Sequence, residues 1–130
     1  YLTEQVVLRA QPEDIRALEE VIGELRSAER ARDTEAFMRA QVDWHTGMAG
    51  ATRNLPIRWI TNPVLQALEG VTHNWPQLAI FEPSFAGYAG QILDRVAAHD
   101  TEGAVALTRR FHETVDETLR SFLQDFASPI

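Results

Sequence analysis

An all-α fold, an antiparallel bundle of six or seven helices, is what the sequence predicts. Three observations carry that prediction. Apolar residues recur at spacings of three and four along most of the chain, as at Ile15, Leu18, Ile22 and Leu25. Helix-start chemistry precedes these stripes at Pro12, Asp33, Ser84 and Asp100. The connections left between them are short, which sets consecutive helices antiparallel.

In order, Leu2 to Ala10 reads as a short helical segment ending before Gln11-Pro12. Pro12 suits a first helical position, and Glu13 and Asp14 after it sit at the positive end of the helix dipole. This second helix carries the Ile15–Leu25 stripe and ends near Arg30 and Arg32, cations that suit a helix C-terminus. Asp33 or Thr34 caps the third helix, and Asn54 closes it. Gly47 and Gly50 weaken its end by roughly 1 kcal/mol each relative to alanine. Leu55 to Trp75 is less regular. Pro56 suits a helix start, but Asn62-Pro63 should break or kink the helix there, because proline lacks a donor and clashes with the preceding turn. Val64, Leu65, Leu68 and Val71 then resume the period. Trp75-Pro76 to Pro83 reads as a loop with an apolar stretch at Leu78 to Phe81; a short strand there would find no partner. Ser84 caps a helix running to Ala98, whose inner face is Tyr88, Ile92, Leu93 and Val96. Asp100 opens the last helix. Its stripe is Ala104, Leu107, Phe111, Val115, Leu119, Phe122 and Phe126, and Ser128-Pro129 ends it.

A chain of 130 residues fits one domain with a real core. Its net charge of −7 disfavours nucleic-acid binding by these residues alone, since neutralising phosphates takes a basic face. The absence of cysteine rules out disulfides and thiolate chemistry and suits a cytoplasmic setting. No apolar run approaches the ~20 residues that span a bilayer. The chain begins with Tyr1, and YLTEQVVLRA resembles the second half of a helix, so the sequence reads as a piece of a longer protein.

The third helix, DTEAFMRAQVDWHTGMAGATRN, holds the main candidates. Phe37, Gln41, His45 and Met48 share a face. An amide and an imidazole one turn apart on an apolar face need partners. Either they are satisfied within a core, or they line a cavity and touch a ligand. Arg53 and Arg58 could grip a carboxylate or phosphate bidentately, although Arg53 also fits an exposed or ion-paired role. Trp44 and Trp59 read as packing or dimer-contact residues, with a ligand-stacking wall as the other reading. His73, His99 and His112 read as solvated. A phosphate-cradling glycine loop, a nucleophile elbow and a zinc-protease histidine pair are all missing.

Three motifs resemble the C-terminal ligand-sensing (FCD) domain of GntR-family transcription regulators of the FadR subgroup. They are the proline–acid start in QPEDIRALEEVIGELRSAERARDTEAFMRAQVDWHTGMAGATRN, the Trp44-His45 pair with Asn54 nine positions further on, and the Ile92-Leu93…Val96…Asp100…Glu102…Ala104 pattern in QILDRVAAHDTEGAVALTRRFH. The resemblance implies a helical bundle with a central effector cavity. In many members it also implies a metal held by one aspartate and three histidines. Those four positions fall here on Gln41, His45, Ala89 and Phe111, so one ligand of the set survives. The expectation is therefore no metal and no cofactor, and an effector with a hydrophobic part. The residues expected to contact it are Gln41, His45, Asn54, Arg58, Ala89 and Phe111. Residues 1–130 would form the effector-binding and dimerisation domain of a cytoplasmic homodimer, with no membrane contact and no enzymatic activity. DNA would be reached only through a winged helix-turn-helix domain absent from this chain. A helical metalloprotein using His45, or a plain dimerisation module with a filled core, are the competing readings.

Overall fold

In a computed structural model the chain forms α1 (Leu2–Arg9), α2 (Pro12–Ala31), α3 (Thr34–Ala51), α4 (Leu55–Asn74), α5 (Phe85–Ala97) and α6 (Thr101–Ala127). The structure describes residues 1–74 and 81–127, the side chains of 68, 71–73, 122, 126 and 127 excepted. The predicted all-α class holds, with six helices and no strand among the described residues. The expectations for Trp75 to Ile80, Ser128-Pro129 and the side chains of His73, Leu68, Val71, Phe122 and Phe126 lie outside the described residues.

The helix starts follow the sequence chemistry. The Asp33 carboxylate accepts from Ala36 N at 3.1 Å, Ser84 Oγ from Gly87 N at 3.0 Å, and Asp100 Oδ1 from Gly103 N at 2.8 Å. At α2, Gln11 N donates to Asp14 Oδ2 at 2.8 Å, one half of a capping box. Helix ends use a device the sequence does not advertise. Arg32, Arg53 and His99 take positive φ of 51°, 54° and 55°, the left-handed turn that glycine usually supplies. Arg53 is held there by Glu13 and Asp14, whose carboxylates it bonds at 3.0 and 2.9 Å, so it is the ion-paired residue rather than a free anchor.

The core lies between α2, α3 and α5, with α1 and α6 closing one side and α4 leaning on α3. Trp44, Phe37, Leu18, Leu25, Ile92, Val6 and Val96 are its most buried large side chains. Each contributes on the order of 2 kcal/mol by leaving water. Gly47 permits the α2–α3 approach: a Cβ there would stand 2.8 Å from Leu18 Cδ2. Among the described side chains of α6, Ala104 alone is fully buried. Leu107, Phe111, Val115 and Leu119 are half-exposed and Leu123 is open, so the described part of the predicted stripe leaves the core after Ala104.

One carboxylate ties α2 to the start of α5. Glu29 accepts from Ser84 Oγ at 2.8 Å and from Ala86 N at 2.9 Å, a negative charge on unpaired first-turn donors. Glu29→Ala should lose about 2 kcal/mol in denaturant titration, because both donors lose a charged acceptor. An unchanged midpoint would show that water replaces it at no cost.

Three expectations are corrected. α4 runs through Pro63 without a break, which overturns the first of the two outcomes expected there. The missing hydrogen bond falls at the carbonyl of exposed Trp59, where water can take it, while Ile57, Thr61 and Leu65 keep their side towards the molecule. Asn54 does not close α3, which ends at Ala51. Its side chain accepts from Ile57 N at 3.4 Å and opens α4 instead. The buried face of α3 is Phe37, Ala40, Trp44, Met48 and Ala51, so Gln41 and His45 lie on its flank rather than its centre.

Candidate functional site

His45 follows Trp44 and therefore points about 100° round the helix from it. Trp44 is 2 % exposed and belongs to the core. Gln41 and His45, one turn apart, are both half-buried. Neither makes a hydrogen bond to protein, and no buried side-chain nitrogen or oxygen is orphaned among the described residues. Their polar atoms therefore border space that water can enter.

Aromatic rings pack beside His45. The His45 ring meets Phe85 edge-on at 5.8 Å. Phe85 also meets Trp44 at 6.4 Å, Tyr88 at 5.7 Å and Phe111 at 5.8 Å. Phe111 stacks on Tyr88, ring centres 4.1 Å apart and nearly parallel. His112 follows, exposed, 6.4 Å from Tyr88. Burial, with a smaller contribution from the charge of His112, pushes the His45 pKa down to about 4. At neutral pH its imidazole is uncharged and offers one donor and one acceptor.

Behind these rings a hydroxyl chain ties α5, α6 and α1 together. Thr108 Oγ1 donates to the Ala104 carbonyl at 2.9 Å. Its lone pairs are then left for Tyr88 OH at 3.3 Å and Thr3 Oγ1 at 3.2 Å. Burial raises the Tyr88 pKa, against the smaller opposing effect of the Thr108 bond.

A scan against protein-family models matches residues 1–114 to the FCD domain. The chain belongs to the FCD family. FCD is the C-terminal domain of GntR-family regulators, a ligand-sensing regulatory module rather than a catalytic family. FCD domains of these regulators typically dimerise. A search among curated proteins returned no match to the chain.

Within this FCD domain, the four positions that the resemblance assigns to a metal carry an amide at Gln41, an imidazole at His45, a fully buried methyl at Ala89 and a phenyl at Phe111. One good ligand and one weak one do not fit a divalent cation, which takes three or four. Among the described residues no three His, Cys, Asp or Glu side chains gather in a way that could hold a metal ion.

The other expected site residues divide. Phe111 joins His45 through Phe85, and Ala89 lies in the same buried face of α5. Asn54 is engaged in capping α4. Arg58 is exposed and lines a different groove, of about 480 Å³, with Arg53, Asp14, Gly47 and Gly50. His99 and His112 are exposed, as expected of solvated histidines. Phe85 is the site residue that sequence reasoning missed. Its spacing of three, four and seven to Tyr88, Ala89 and Ile92 places it on the same face and could have revealed it. Among the described residues no helix is long and apolar enough to cross a membrane.

Proposed function

We propose that this FCD domain senses a small organic acid or acyl-type molecule bound beside Gln41, His45 and Phe111, with the fully buried Ala89 behind them, within a dimeric transcription regulator. The observation that supports it is the pair Gln41–His45. These are two half-buried polar side chains, one turn apart, that make no hydrogen bond to protein, and the imidazole of His45 meets the Phe85 ring edge-on. An amide N–H and a neutral imidazole N–H can both donate to one carboxylate, while Phe85 and Phe111 suit an apolar tail. Binding makes and breaks no covalent bond. An effector that fits one arrangement of α3, α5 and α6 better than another shifts the population, and with it the spacing of DNA-binding domains lying outside these 130 residues.

A thermal-shift panel of short-chain carboxylates and fatty acids tests the reading. A true effector at a hundred times its Kd should stabilise the fold by about 2.7 kcal/mol. Gln41→Leu and His45→Leu should each reduce that shift. A panel with no shift, or a shift untouched by either substitution, counts against this site.

A further inference from the structure

α4 is apolar on both sides. Leu65 faces inward and is 6 % exposed, with Ile57 and Thr61 half-buried beside it. The outward side carries Leu55, Trp59, Ile60, Pro63, Val64 and Ala67, all exposed; Trp59, Ile60 and Val64 keep 67 %, 72 % and 62 % of their surface. At about 100° per residue these six fall within half the helix circumference, and Arg58 and Glu69 fall outside it. A solvent-facing helix normally carries charge on that side. Among the described side chains this side carries no charge, and Gln66 is its polar member, so the unusual feature is a continuous uncharged patch rather than scattered exposed residues.

We propose that this face of α4 is where a second copy of the chain docks. The inference rests on the dimeric reading above and names its surface. A face without charge offers nothing to an acidic or basic partner, but it complements itself across a two-fold axis, as an isologous interface requires. Pro63 and Ala67, short side chains along its middle, let two such helices approach closely. The exposed apolar area is on the order of 500 Å² per copy, and doubled it reaches the ~1,000 Å² that a specific interface needs. Trp59 is the anchor that such an interface would bury first.

Sedimentation of the 130-residue chain over a micromolar range tests this. The wild type should be dimeric. Trp59→Glu combined with Val64→Glu should weaken association on the order of 100-fold while leaving helical circular dichroism unchanged, since both positions are open in the monomer. Ile60→Lys should weaken it independently, and Leu123→Glu on α6, exposed but outside the patch, should not. A monomeric wild type overturns the proposal and leaves the face to a segment beyond these residues. A dimer that survives the double substitution overturns it in favour of another surface. The carboxylate thermal shift measured on the monomeric variant separates the two readings: its persistence supports sensing whichever way the docking test falls.

Discussion

Phe85→Ala should destabilise the fold by about 3–5 kcal/mol, the largest loss expected of any single change in the candidate site. Phe85 is 4 % exposed and is the first residue of α5, directly behind the Ser84 cap. Its ring is shared by Trp44 and His45 of α3, Tyr88 of α5 and Phe111 of α6, all at centroid distances of 5.7 to 6.4 Å. Each edge-on pair adds about 0.5–1.5 kcal/mol beyond the area it buries. The fixed Glu29–Ser84 link limits how far α5 can slide to fill the hole. Phe85→Leu, which keeps most of the volume, should lose less than half as much. Chemical denaturation gives the free energies. NMR titration of His45 gives a second readout that general loosening of the core does not mimic: water admitted at the phenyl site should bring the imidazole pKa back up towards its ordinary value. A loss under 1 kcal/mol would show that the four rings do not depend on Phe85.

The fold was legible because its signals are local. Pro12, Asp33, Ser84 and Asp100 mark helix starts by chemistry that operates within one turn, and the structure puts each where that chemistry needs it. What stayed hidden depends on the surroundings. Pro63 breaks an isolated helix, but here α4 packs on α3, and Trp59, whose carbonyl loses its donor, is exposed. Arg32, Arg53 and His99 close helices in a conformation that no glycine announces. Asn54 can end one helix or begin the next, and only its bond to Ile57 decides. The candidate site was half-legible for a geometric reason. The apolar sector of α3 is wide, and its periodicity alone allows a centre on Gln41 and His45 when Trp44 in fact occupies its middle. That shift of one residue places the imidazole on the boundary between core and accessible space, where a polar group can be buried without being satisfied by protein. The aromatic rings beside it come from α5 and α6, some forty to seventy residues along the chain, and no periodicity within α3 could have supplied them.

His45 should make the protein acid-sensitive above the range where carboxylates titrate. Its folded pKa, about 4, lies below the unfolded value of 6.5. Above pH 6.5 the imidazole is neutral in both states and its contribution to stability is complete. Between pH 6.5 and about 4 the unfolded chain takes a proton that the folded site refuses, and stability falls by up to ~1.4 kcal/mol per pH unit. Below about 4 both states are protonated and the loss levels off. Partial access of the ring to water trims the total to the order of 2–3 kcal/mol. Denaturation of wild type and His45→Gln between pH 7.5 and 4.5 isolates it, since every carboxylate titrates in both proteins and only the difference belongs to the imidazole. Parallel curves would mean the ring is hydrated in solution. The same linkage bears on the effector. A carboxylate held by His45 favours the imidazolium and raises its pKa in the complex, so binding should take up a proton, and affinity should rise as pH falls from 7 towards 5. An uncharged ligand in the same place should show no such rise. Calorimetry in two buffers of different ionisation enthalpy counts the proton directly. A carboxylate effector that binds with no proton uptake at pH 5.5 must have its charge met by some group other than His45.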